Sequence, residues 1–137
     1  MKIVKPFPLL FVLTLLIVFA TGVQADPQSG GPGPAIAHQA KYPITVQGKE
    51  YDLLTLIIDF PNGAGFPEHF HGGNVIATVL SGEITLKEKG TERVVKTGES
   101  WTEAPGAVHS VVNKGAPARV AVSMFLPKGA EVQTPVK

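Results

Sequence analysis

From residue 41 onward the chain is written in short β-branched runs cut by turn residues, and this rhythm limits the fold more than any other feature. "YPITV" is followed by "QGKE", then "YDLLTLIIDF", the glycine-rich "PNGAGFPEHFHGGN", "VIATVL", "SG", "EITLKEKG", "ERVVKTGES", "WTEA", "PGAVH", "SVVNKGAP" and "ARVAVSMFL". Strand-like segments recur roughly every 8 to 12 residues, and no stretch of about ten residues beyond the N-terminal apolar run has a helical period. The expected class is all-β, a sandwich or a barrel. Rhythm alone does not choose between them.

The N-terminus follows different rules. Lys2 and Lys5 precede an almost unbroken apolar run from Phe7 to Ala20, and Val23-Gln24-Ala25 has small residues where a signal peptidase needs them. The apolar run is shorter than the roughly 20 residues that span a bilayer. Residues 1–25 therefore read as a secretory signal peptide cleaved after Ala25, and the expected destination is secreted or periplasmic, with no membrane attachment after cleavage. Residues 26–40, "DPQSGGPGPAIAHQA", read as a flexible Gly/Pro-rich lead-in in which His38 is a solvated side chain. Residues 41–137 are expected to form a single domain.

Charge and cysteine content narrow the partners. Of 12 basic and 11 acidic residues, cleavage removes Lys2 and Lys5, which leaves 10 against 11 and a formal charge of −1. With no Lys/Arg cluster, a nucleic-acid partner is not expected. The chain has no cysteine, so neither a lipid-modified Cys nor a disulfide is available and a buried core must hold the fold.

The glycines and histidines form two spaced sets. Gly63, five residues, His69, one residue, His71, three residues, Val75, six residues, Gly82: this resembles the first motif of the cupin superfamily, with Val75 where the family usually has glutamate. Gly98, five residues, Ala104-Pro105-Gly106, two residues, His109, three residues, Asn113 resembles the second, with the proline displaced by one from Ala104. The resemblance runs over residues 42–127, with a short spacer between Gly82 and Gly98. It implies a double-stranded β-helix, the cupin jelly-roll barrel, with a metal held in its mouth by residues of both motifs.

Side-chain parity agrees with that expectation. In an extended segment, positions i and i+2 share a face, so His69 and His71 can present two imidazoles to one point. His109, arriving from a remote strand, would complete a set of three nitrogens with positions left open. Asn113 reads as a turn residue. Glu68 points away from His69 and is expected outside.

The missing glutamate leaves three readings. An all-histidine site leaves a divalent cation its full charge; three-histidine cupins with a similar pattern include thiol dioxygenases and a diketone-cleaving dioxygenase, which implies oxygen insertion. Alternatively Glu103, which shares strand parity with Trp101, supplies the carboxylate as a ligand or as a general base. In the third reading the site has decayed to a non-catalytic binder.

The leading expectation is a mononuclear metal-dependent dioxygenase acting on a small chelating organic substrate. A metal-assisted isomerase or lyase on a sugar or keto acid is the alternative. The metal itself, Fe, Mn, Zn, Cu or Ni, is not selected by imidazole ligands. Phe66, Phe70, Trp101, Met124 and Phe125 are candidate pocket walls. A homodimer is the expected assembly, with the segment before residue 41 able to cross to a neighbour as an edge strand.

Overall fold

The computed structural model describes residues 31–137; the segment read as a signal peptide and the first part of the lead-in lie outside the described residues. Ten strands follow one another: β1 (Ala35–Val46), β2 (Lys49–Phe60), β3 (Gly65–Phe70), β4 (Asn74–Ser81), β5 (Glu83–Glu88), β6 (Thr91–Lys96), β7 (Ser100–Glu103), β8 (His109–Val112), β9 (Ala118–Pro127) and β10 (Thr134–Pro135). They form two five-stranded antiparallel sheets, β1-β2-β9-β4-β7 and β10-β3-β8-β5-β6. Among the described residues none is helical. The architecture is the all-β jelly roll.

Alternation explains why these runs become strands that pack. In β2, Leu54, Leu56, Ile58 and Phe60 are buried; in β9, Ala118, Val120, Val122, Met124 and Leu126; in β4, Val75, Ala77 and Val79. The second sheet answers with Ile84, Leu86, Val95 and Val111. Each large apolar side chain removed from water contributes about 1.5–3 kcal/mol. Toward one end this core gives way to buried polar groups, and that end holds the candidate site.

Two segments depart from the sequence reading. Residues 35–40, assigned to the lead-in, are the first half of β1 and pair with β2, Gln39 opposite Leu56 and Ala40 opposite Thr55. The glycines and prolines end at Pro34, and "AIAHQA" contains no breaker that would prevent pairing. Within this chain β1 is an edge strand of its sheet, where Pro43 is tolerated. The second departure is β3, which lies within the glycine-rich "PNGAGFPEHFHGGN", whose sequence alone reads as a loop between two β-branched runs.

Candidate metal centre

β3 carries a bulge, and the bulge aims the site. Phe66 pairs with Val111 and His69 with His109, so β3 spends one residue more than β8 between the two pairs. In an unbroken strand residues 66 and 69 would face opposite sides; the extra residue, around Pro67 and Glu68, turns both toward the core. His71 lies one period beyond His69, just past the end of β3. Gly73 then lets the chain pass against β9, since a Cβ there would stand 2.1 Å from the Phe125 carbonyl oxygen.

The three histidines predicted from the motifs meet. His69, His71 and His109 are 3%, 4% and 2% exposed, and one nitrogen of each lies within 4.8 Å of the others. Every ring has its other nitrogen engaged by a backbone carbonyl: Nδ1 of His69 donates to Pro67 (2.7 Å), Nδ1 of His109 to Ala107 (3.0 Å), and Nδ1 of His71 to Val132. A carbonyl only accepts, so these contacts fix the proton on Nδ1 and turn the Nε2 lone pair inward, the tautomer a metal ligand needs.

Glu103 completes the cluster. It is 5% exposed, and its Oε1 lies 3.1 Å from His109 Nε2 and its Oε2 3.2 Å from His71 Nε2. Trp101 Nε1 donates to Oε1 at 2.7 Å, whereas Oε2 is buried without a donor. With the proton on each Nδ1, lone pairs on carboxylate oxygens face lone pairs on imidazole nitrogens, an arrangement that a cation between them would stabilise. Two donors on one ion, with bonds near 2.1 Å at a right angle, are about 3 Å apart. The residues present fit a divalent metal, and a proton is the only alternative they offer.

The electrostatics of the metal-free cluster follow from that choice. Burial would raise the Glu103 carboxyl, but hydrogen bonding with His109 and His71, the His109 charge and the Trp101 indole outweigh it and hold it at about 2. Burial would lower His109, yet its bond to Glu103 and its Nδ1 contact leave it raised above 6.5. Burial lowers His69, and the Pro67 carbonyl only partly offsets this.

A pH dependence results. The depressed Glu103 stabilises the metal-free fold fully above 4.5 and loses its contribution as pH falls toward about 2. The raised His109 contributes fully below 6.5 and is lost as pH rises through its folded value. Metal binding needs the His109 Nε2 proton gone, so the melting-temperature gain on metal loading should grow between about pH 5.5 and about pH 8. Melts of chelated and metal-loaded protein across that range check it; a gain that shrinks with pH contradicts it.

A cavity of about 160 Å3 opens over the four side chains. Its wall is apolar: Leu56, Ile58, Phe60, Phe66, Val122 and Met124 take part, and Ile36, Val132 and Gln133 stand among its lining from the two ends of the described chain. Among the described residues no Lys or Arg lines it.

A family model for the cupin domain matches residues 56–125. The chain belongs to the cupin family. No curated protein sequence matches it, but solved cupin-like structures do. A conserved protein with a double-stranded β-helix domain from Klebsiella pneumoniae is 21% identical over 78% of this chain and 90% of its own, with a TM-score of 0.53. A predicted oxalate decarboxylase from Thermotoga maritima is 21% identical over 63% of this chain and 91% of its own, TM-score 0.51. An oxalate oxidase is 26% identical over 61% of this chain, TM-score 0.54, and this chain covers 46% of its length.

Within this cupin the substitution at the glutamate position has a structural counterpart. Val75 on β4 is the register partner of Glu103 on β7, so the carboxylate stands one strand over, on the same face. Asn113 is fully buried and organises the turn after β8, donating to the Phe60 and Ala116 carbonyls and accepting from the Gly115 amide. Glu68 is exposed beside Lys87. Of the five wall candidates, Phe66, Trp101 and Met124 line the cavity; Phe125 instead stacks on Tyr51 at 4.5 Å, and Phe70 is not among the lining.

Proposed function

We propose that this cupin binds one divalent transition metal through His69, His71, His109 and Glu103, and oxidises a small chelating organic molecule as a dioxygenase. The observation that carries the metal reading is the buried Glu103 Oε2, which has no hydrogen-bond partner and lies beside the inward Nε2 of His71. When bound, such an ion supplies Lewis acidity and, for a redox metal, electron exchange with oxygen. The chain's own residues hold the ion, cut its net charge by one through Glu103, and surround it with an apolar wall that excludes water.

The same details favour oxidation over a base-driven isomerase or lyase. A general base works best with a pKa near the operating pH. Glu103 is buried, accepts the Trp101 indole N–H and stands beside two inward histidine nitrogens, which places it as a ligand rather than as a base facing substrate. Among the described residues the cavity lining contains no other acidic side chain to take its place. The wall also shapes the substrate. Without Lys or Arg, a compact dianion such as oxalate has no counter-charge beyond the metal, so a neutral or singly charged chelator with an apolar body is favoured.

Metal analysis of the purified protein followed by oxygen-electrode assays tests this. The Fe-, Mn- or Cu-loaded protein should consume oxygen with a β-diketone, enediol or aminothiol probe, and the chelated protein should not. Conversion of these probes without oxygen uptake would replace the dioxygenase with an isomerase or lyase. Saturable binding without turnover would make the protein a binder.

A further inference from the structure

The three candidate ligands are not supported alike. His69 and His109 each take their Nδ1 acceptor from two residues earlier in the same strand region, Pro67 and Ala107. The His71 acceptor is Val132, 61 residues away in the sequence. After β9 the chain turns at Ala130, whose amide donates to the Pro127 carbonyl at 2.9 Å, and runs back over the His71 strand. Gly72 N donates to the Glu131 carbonyl and Val136 N to the Glu68 carbonyl, both at 3.0 Å, while β10 pairs Thr134 with Phe70 and Pro135 with His69. Val132 and Gln133 meanwhile form part of the cavity wall.

We propose that this C-terminal strap, residues 131–136, is the positioning element for His71 and thereby sets the affinity and geometry of the metal centre. The proposal rests on the metal reading of the cluster. Losing the Val132 carbonyl frees the His71 ring to turn or to move its proton to Nε2, which removes the inward lone pair; the locally supported rings keep theirs. Outer contacts of this kind are worth about 10–100-fold in metal affinity. Glu131, Val132 and Gln133 are exposed and held by few backbone bonds, so the strap opens more readily than the ladders beneath it.

Gly72 provides a handle on the strap that touches no ligand side chain. A Cβ at that position would lie 2.9 Å from both the Ala130 Cβ and the Glu131 carbonyl oxygen. Gly72→Ala therefore pushes the strap off while leaving His71 in the chain.

Cobalt(II) titrations of four proteins decide the matter: the wild type, a truncation lacking residues 130–137, which removes both atoms that the Gly72→Ala Cβ would meet, full-length Gly72→Ala, and the two changes combined. The truncation and Gly72→Ala should each weaken cobalt binding about 10–100-fold at unchanged one-to-one stoichiometry, with a shifted visible spectrum. The combined protein should be no worse than the truncation, because the clash has nothing left to displace. Wild-type affinity and spectrum in the truncated protein would overturn the proposal, as would a Gly72→Ala penalty that persists in full in the truncated background. If truncation prevents folding, full-length Gly72→Ala still decides: wild-type affinity and spectrum there defeat the strap. Absence of cobalt binding by the wild type would instead defeat the metal reading, and the strap's role with it.

Discussion

Replacing His69, His71 or His109 with alanine should abolish stoichiometric metal binding and, with it, the part of the thermal stability that a chelator can remove. Each ring supplies one inward nitrogen to a buried cluster, and an alanine leaves two imidazoles and a carboxylate in an apolar cavity where water is a poor substitute. The size of the effect follows from linkage. A metal at about 100 times its Kd adds about 2.7 kcal/mol to the folded state, and a domain of this size moves roughly 4–8 °C per kcal/mol. Chelation should therefore lower the melting temperature of the loaded wild type by roughly 10–20 °C. The melting temperatures of the three variants should not respond to chelator. Elemental analysis paired with calorimetry reads both quantities, and a full chelator shift in all three variants would remove the histidines from the site.

How much of this was legible in the sequence depends on whether local parity or distant register decides a residue's place. His69 and His71 share a face by the period of two, and Glu103 could be tied to Trp101 by the same rule. That rule also separates Phe125 from Met124, since neighbours in a strand face opposite sides; Met124 lines the cavity and Phe125 stacks on the outer face with Tyr51. It separates Phe70 from His69 and His71 as well. The bulge at Pro67 and Glu68 was not legible, because it exists only in the pairing of β3 with β8.

The C-terminal strap was hidden for another reason. "EVQTPVK" has neither alternation nor a motif, and Val132 acts through its backbone carbonyl, which carries no residue-type signal. β1 was half concealed because the Gly/Pro bias of residues 30–34 coloured the reading of the residues that follow. Each miss is a partner choice between segments far apart in the chain, which propensity and periodicity do not encode.

Moving the carboxylate back across the ladder should rescue the centre: Glu103→Val alone should weaken metal binding by about 10^2–10^4-fold, and Glu103→Val with Val75→Glu should recover most of it. The single change strips a buried cluster of its one anion, and breaking such a partnership costs on the order of 3–5 kcal/mol, with each 1.4 kcal/mol worth about tenfold in Kd. Residues 75 and 103 are register partners, both nearly buried, and such cross-strand pairs hold their Cβ atoms about 4.5–5.5 Å apart on one face. A glutamate at position 75 should therefore approach the His71 and His109 nitrogens that Glu103 now faces. The double variant should retain a deficit of roughly tenfold, because Trp101 Nε1–H loses its acceptor and an unpaired buried donor costs about 1–3 kcal/mol. Val75→Glu alone should destabilise the metal-free protein, since it places a second buried carboxylate against the first at the apolar cavity wall. Competition with a chromophoric chelator gives the affinities. Trp101 is the chain's single tryptophan, so its fluorescence independently reports the loss of the Glu103 contact. An unchanged Kd for Glu103→Val would leave an all-histidine site with its full positive charge and return the substrate preference to anions.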